Sequence, residues 1–349
     1  MTTAKKRGAL IGCGFFAYNH MHAWAQIADV EIVAVCDIDE SRARQMAKDF
    51  RVSIIHTDAA RLLREVLLDF VDIATTAASH QRLVELAAAQ GVASICQKPL
   101  ADTMAAASAM VAACAAANVP LIVHENFRWQ RPFVRMHELI AQGRIGTPHF
   151  ARFSFRHGYD NYRNQPYLAQ VERFTILDLG LHLFDLARLF MGEVANLSCT
   201  AQHLNAAVRG EDAFTALLQH MNGTTSICDC SFQSVRHPEP FPQTLAEIEG
   251  PDGTLTLGAG YALWLHDAAG LHEIQCMPTI PHWGGAPWHG VQDSVIRFQS
   301  HVADVLHGRA SPKPSGADNL RTLALSLAAY DAVAQKRAIH MSDWKESAE

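Results

Sequence analysis

Along the first third of the chain, short apolar runs alternate with longer stretches of mixed polarity. The runs are Ala9-Leu10-Ile11, Glu31 to Cys36, Ser53-Ile54-Ile55, Val71 to Thr75, Val92 to Cys96 and Pro120 to Val123. Each is brief and nearly continuously apolar, the pattern of strands covered on both faces. Between them Tyr18 to Ala28, Glu40 to Phe50, Ala59 to Leu68, Gln81 to Gln90 and Thr103 to Ala117 have helical length. Strand, helix, strand repeated in this way predicts a doubly wound parallel sheet with right-handed crossovers.

After about His124 the rhythm changes. Pro132 to Ala141 and Ile176 to Phe190 read as helices, the second closed by Gly192, a favourable residue just past a helix end. Period-two or turn-punctuated runs follow at Phe150 to Phe155, Leu197 to Leu204, Phe214 to His220, Thr224 to Phe232, Thr244 to Glu249, Thr254 to Leu257 and Tyr261 to Leu265. Asn222-Gly223 and Asp252-Gly253 are hairpin signals between such runs. Val291 to Leu306 and Asn319 to Gln335 read as closing helices. The expected organisation is a doubly wound domain at 1–124 and, at 125–349, an α/β domain with a large, mostly antiparallel open sheet.

The 349 residues are 49% hydrophobic and 18% charged, with a net charge of −6, an ordinary globular composition. A mildly acidic chain with no basic face or arm has no electrostatic reason to seek nucleic acid or an anionic membrane. Lys5, Lys6 and Arg7 before Gly8 to Cys13 imitate an export leader, but the apolar stretch is too short for one. No run of 18 apolar residues suggests a spanning helix. The eight cysteines are scattered without a CxxC pair and read as small buried hydrophobes in a reducing compartment, so a cytoplasmic protein is expected.

Gly12-Cys13-Gly14-Phe15-Phe16-Ala17 follows the first strand and opens the first helix. This is the dinucleotide fingerprint in its G-x-G-x-x-A form, in which glycines let the backbone approach a pyrophosphate at a helix N-terminus. Asp37 closes the second strand, where a carboxylate accepts hydrogen bonds from an adenosine ribose. Acidic Asp37 and Asp39 point to NAD rather than NADP, with Arg42 and Arg44 the one feature against it. Thr75-Thr76, Gln97-Lys98-Pro99 and Glu125-Asn126 end other strands of the sheet, where ligands of this architecture bind.

A second constellation lies on the helix that starts near Ile176. Asp178, His182 and Asp185 are spaced i, i+4, i+7, so a carboxylate and an imidazole stand one turn apart on one face. A histidine oriented by a carboxylate suits a general base. The flanking Leu177, Leu179, Leu181, Leu183 and Phe184 make the segment too apolar for a solvated stripe. These three residues could in principle hold a cation, a reading ranked below acid/base use. His20 and His22 are expected to pack or cap, and His282, Trp283, Trp288 and His289 to line a pocket mouth. No ligand spacing among these histidines supports zinc.

Together these motifs resemble the Gfo/Idh/MocA family of NAD(P)-dependent oxidoreductases. The resemblance is carried by the glycine turn, by Gln97-Lys98-Pro99 where the family has Glu-Lys-Pro, and by Leu177 to Asp185, which matches its D-x-G-x-H-x-x-D helix. It implies an N-terminal Rossmann domain, a C-terminal α/β domain whose open sheet pairs subunits into a homo-oligomer, and catalysis by Lys98, Asp178 and His182. The cofactor set becomes Gly12, Gly14, Phe15, Phe16, Asp37, Thr75, Thr76, His80, Gln97, Lys98 and Asn126. Gln97 departs from the family pattern and removes a carboxylate beside Lys98. Asn19 to Trp24, the Gln97-Lys98-Pro99 variant, His124 to Gln130 and Gln165 to Leu168 further resemble D-apiose dehydrogenases.

The implied activity is oxidation of a small neutral sugar, a free aldose at its anomeric carbon, to a lactone. Lys98, Arg128, Trp129, Gln165, Asp178 and His182 form the expected substrate lining, a mix of hydrogen-bonding and apolar groups. Three alternatives stay open: another polyol or inositol dehydrogenase of the family, an NAD-dependent glycosidase, and a non-catalytic cofactor-binding sensor.

Overall fold

The six N-terminal runs become β1 (Lys6–Ile11), β2 (Val30–Cys36), β3 (Ile54–His56), β4 (Phe70–Ile73), β5 (Ala93–Gln97) and β6 (Leu121–His124). In the computed structural model, which describes residues 4–163 and 165–346, they form one parallel sheet in the order β3-β2-β1-β4-β5-β6. This is the Rossmann order, and its strand sequence reverses between β1 and β4. Helices α1 (Ala17–Trp24), α2 (Glu40–Phe50), α3 (Ala59–Glu65), α4 (Ala77–Ala89) and α5 (Met104–Ala116) supply the crossovers. Asp39, Asp58 and Thr103 accept hydrogen bonds from first-turn N–H groups of α2, α3 and α5. Each cap satisfies donors that have no partner inside the helix.

Packing divides the chain into two units. The first holds Met1–Asn126 and Ser294–Arg321, the second Phe127–Asp293 and Thr322–Glu349. The sequence suggests one boundary at 124/125, whereas the chain returns late to the first unit. That return is driven by burial. Phe298, fully buried, sets its ring 4.4 Å from that of His124, Gln299 reaches Asp72, and Ser315 bridges Ile122.

In the second unit α6 (Arg131–Ala141) precedes β7 (Phe150–Arg156), and α7 (Leu181–Met191) precedes β8 (Val194–Gln202), β9 (Ala213–His220) and β10 (Thr225–Ser231). Then come β11 (Leu245–Gly250), β12 (Gly253–Leu257), β13 (Leu263–Asp267) and β14 (Gly270–Ile274), and β15 (Ile339–His340) closes the set. They make one nine-stranded sheet, β14-β13-β12-β11-β7-β10-β9-β8-β15. Every neighbouring pair is antiparallel except β7 with β10. Asn222-Gly223 turns β9 into β10, with Gly223 at φ +87°, the left-handed conformation such a turn needs. Leu183, Phe184, Leu186 and Ala187 of α7 are fully buried in this unit's core.

α8 (His289–Leu306) and α9 (Gly316–Gln335) complete the described helices. None of them is long and apolar enough to cross a membrane. All eight cysteines are buried free thiols, and burial pushes Cys13 and Cys36 up to about 12. They are protonated packing groups, as the sequence suggests.

Candidate active site

In the first unit, the carboxyl ends of the parallel strands carry most of the residues singled out by sequence. The two fingerprint glycines differ in what they permit. Gly12 has φ +94°, and a Cβ there would stand 2.6 Å from the Ala74 carbonyl oxygen, so only glycine fits the turn. A Cβ on Gly14 would meet no atom within 4 Å. The space beside Gly14 is open at the N-terminus of α1, the place for a pyrophosphate.

Asp37 is tied into this turn. Its Oδ2 accepts the Cys13 N–H at 2.7 Å, and its Oδ1 accepts the Asp39 N–H at 2.9 Å. Each carboxylate oxygen keeps acceptor capacity for ribose hydroxyls. Arg42 pairs with Asp39, and Arg44 with Glu40 one turn back. Phe15 is 54% exposed, whereas Phe16 turns its ring edge to His20.

Behind the strand ends lies a scaffold. Thr75 Oγ1 receives the Ser79 hydroxyl, and Thr76 precedes α4. His80 is fully buried, with Nδ1 3.0 Å from the Pro99 carbonyl oxygen and Nε2 3.2 Å from that of Thr75. Burial pushes its pKa down. It links the Thr75 segment to the Lys98-Pro99 segment, beneath the expected cofactor residues. Gln97 folds its side chain back so that Oε1 accepts the Lys98 N–H at 2.7 Å. Asn126 is buried and donates to the Ser294 hydroxyl at 2.6 Å.

In the second unit, Asp178 sits on a π-helical turn, Ile176–Gly180, that runs directly into α7 and His182. Sequence spacing alone suggests an unbroken α-helix here. Such one-turn π insertions are recurrent at functional sites. The start of the turn is held by Glu211, whose carboxylate accepts N–H groups of Phe174 and Ile176 at 3.2 and 2.9 Å and the Tyr330 hydroxyl at 2.8 Å. A carboxylate at a helix start is favoured by the dipole and by unsatisfied N–H groups. His182 is buried, its ring stacked on Phe127 at 3.7 Å and 5°.

Tyr167 and Gln165 belong to the same neighbourhood. The Tyr167 hydroxyl donates to Gln165 Oε1 at 3.1 Å, and burial and the Asp178 carboxylate push its phenol up to about 12. Arg128 has another occupation. Its guanidinium forks onto the fully buried Asp185, with Nε 2.7 Å from Oδ2 and Nη2 on Oδ1. Trp129 stands beside it, partly buried. Trp288 packs edge-on against Phe241 and His289 against Tyr261.

The sequence pattern marks Tyr167 within the Gln165 to Leu168 segment but does not mark Glu211. Glu211 lies before a strand, far along the chain from the turn it holds, and no local spacing connects them. Among the described residues, no group of three or more His, Cys, Asp or Glu is placed to hold a metal ion.

Two family profiles match the chain: an oxidoreductase family with an NAD-binding Rossmann fold at residues 6–125, and the GFO/IDH/MocA C-terminal domain at residues 133–256. A D-apiose dehydrogenase of Paraburkholderia graminis is 47% identical over 348 residues, 99% of this chain and 93% of that protein. A D-apiose dehydrogenase of Rhizobium rhizogenes is 45% identical over 97% of this chain and 98% of its own length. A crystal structure of an oxidoreductase from Agrobacterium radiobacter, in complex with NAD+, L-tartaric acid and magnesium, superposes with a TM-score of 0.95 at 45% identity. It covers 97% of this chain and 99% of that one. The chain belongs to the Gfo/Idh/MocA family of oxidoreductases.

Proposed function

We propose that the protein oxidises a free aldose, with D-apiose the first candidate, at its anomeric carbon to the lactone, using NAD. The observation that carries this reading is the match of nearly the whole chain, at 47% and 45% identity, to two proteins named D-apiose dehydrogenase. The strand ends of the first unit suit the cofactor. The open space at Gly14 accepts a pyrophosphate, and Asp37 accepts ribose hydroxyls. Arg42 and Arg44 are engaged by acidic neighbours of their own helix, so neither is dedicated to a 2′-phosphate.

Bound NAD supplies the acceptor for the hydride leaving the sugar carbon. His182 takes the hydroxyl proton as that bond breaks. Asp178 orients the imidazole or holds a neighbouring hydroxyl. The Lys98 ammonium places the reacting oxygen and favours its developing negative charge. Gln165 and Trp129 offer the substrate a hydrogen-bonding edge and an apolar face. Arg128, engaged by Asp185, leaves this lining short of cations, which favours a neutral ligand over a phosphorylated or carboxylated one.

NADH absorbance across a panel of D-apiose, other aldoses, inositols, sugar phosphates and methyl apioside tests the reading. Apiose should give the highest kcat/KM, and methyl apioside, with its anomeric oxygen blocked, should be inert. NADH from the glycoside, or a clear preference for an inositol or a sugar phosphate, overturns it.

A further inference from the structure

Within the first unit, the hydrogen bonds behind Lys98 have a direction that can be read without ambiguity. Gln97 Oε1 accepts the Lys98 N–H at 2.7 Å. A backbone N–H only donates, so this bond fixes which end of the Gln97 amide is oxygen. The amide nitrogen then faces Nε2 of His20, 3.3 Å away. An amide nitrogen also only donates, so His20 Nε2 is the unprotonated nitrogen of the ring. The ring proton is therefore on Nδ1, which lies 2.9 and 3.1 Å from the two oxygens of Asp72.

His20 and Asp72 are both fully buried. Asp72 on β4 also receives Trp24 Nε1–H from α1 at 2.7 Å and Gln299 Nε2–H from α8 at 3.4 Å. His124 from β6 stacks on the His20 ring at 4.0 Å, and Phe16 meets it edge-on. The Cys96 thiol on β5 is held protonated by burial and by Asp72. The result is a one-way line of donors that runs from the Lys98 peptide through Gln97 and His20 to a single buried carboxylate.

We propose that His20 is a positioning residue for Lys98, acting through Gln97, and that Gln97 and a ring protonated only on Nδ1 are a matched pair. The inference rests on the proposed role of Lys98. It also accounts for the departure from Glu-Lys-Pro. A carboxylate at 97 could still accept the Lys98 N–H, but it has no proton to give Nε2. His20 would then have to carry protons on both nitrogens to keep the line intact.

Four readouts on the full-length protein test this. Nitrogen-15 NMR of the histidine rings, with His20→Gln locating the signal, should show His20 protonated on Nδ1 alone in the wild type and on both nitrogens in Gln97→Glu. Gln97→Met keeps the chain length but removes both bonds, and it should speed hydrogen exchange at the Lys98 amide at least roughly tenfold, the equivalent of one lost hydrogen bond. With an oxidised sugar, Gln97→Met should lower kcat roughly tenfold while KM for NAD changes much less. In Gln97→Glu, kcat should fall with rising pH more steeply than in the wild type, and the double variant with His20→Gln should lose that added dependence.

A wild-type ring protonated on Nε2, an unchanged ring in Gln97→Glu, or unchanged Lys98 exchange in Gln97→Met would overturn the proposal. If no sugar yields NADH, the proposed function fails by itself, and the ring and amide readouts still decide the positioning.

Discussion

Replacing Asp185 by Asn should destabilise the second unit by about 3 kcal/mol, because it breaks a buried ion pair by neutralising one member and leaving the other charged. Asp185 is fully buried, and the Arg128 side chain that forks onto it is 12% exposed. A guanidinium cannot discard its proton, so it stays charged when its partner is neutralised. Removing one member of a buried pair costs about 3 to 5 kcal/mol. The lower end applies here, since Asn retains one acceptor oxygen and Thr322 Oγ1 remains 3.4 Å from that position. At about 2 to 4 °C per kcal/mol for a unit of this size, the Tm should fall by roughly 6 to 12 °C. Thermal and urea unfolding would measure it. The double variant Arg128→Met, Asp185→Leu, which removes both charges, should return to within about 1 kcal/mol of the wild type. A Tm shift under about 2 °C in Asp185→Asn would refute the reasoning. So would an Arg128→Met protein that melts normally but loses sugar affinity, which would make Arg128 a substrate ligand, as the sequence suggests.

Gly14→Ala should fold normally but bind NAD more weakly, whereas Gly12→Ala should lower stability by about 1 to 3 kcal/mol; titration with NAD and thermal melts separate the two. Asp37→Ala should narrow the preference for NAD over NADP, measured as the ratio of kcat/KM values, and comparable wild-type values for the two cofactors would contradict the assignment. Lys98→Ala and His182→Ala should each cut kcat by about two orders of magnitude or more with NAD binding largely retained, and near-normal turnover in either would show it to be misassigned. Burial lowers the pKa of His157 from 6.5 to about 4. Below pH 6.5 the unfolded chain therefore takes up a proton that the folded one refuses, and stability falls by up to about 3 kcal/mol as pH drops towards 4. His157→Gln should flatten urea midpoints across that range, and an unchanged slope would exclude His157 as their source.

The alternation of apolar runs made the parallel sheet legible, because a strand covered on both faces has little choice but to be apolar throughout. The strands of the second sheet were legible for a different reason, their turns: Asn222-Gly223 ends one run and starts another. β14 and β15 escaped. Gly270–Ile274 is an edge strand whose residues are mostly exposed, and Ile339–His340 is only two residues long, so neither carries a periodic signal. Lys98, Asp178 and His182 stand out in the sequence as candidates because each lies in a compact local motif. The side chains that hold them could not. Glu211 reaches the Asp178 turn, and Asp72 reaches His20, only once distant segments are packed together. The π-turn is likewise invisible to i, i+4 counting, since it inserts a residue without altering the apolar pattern.

The late return of Ser294–Arg321 to the first unit has a consequence for synthesis. When residue 126 leaves the ribosome, β6 is an open edge strand. Ile122 still lacks its bridge to Ser315, Leu121 its contact with Gly316, and His124 the cover of Phe298. At about 5 to 20 residues per second, the residues up to Arg321 take roughly 10 to 40 s to arrive. Throughout that interval the nascent chain presents unpaired backbone groups beside apolar side chains, the usual starting point for intermolecular strand pairing. A fragment cut near residue 126 would stay in that condition indefinitely. The cofactor half of this protein is therefore a poor candidate for transplantation as a free-standing module unless the 294–321 segment is fused back to it.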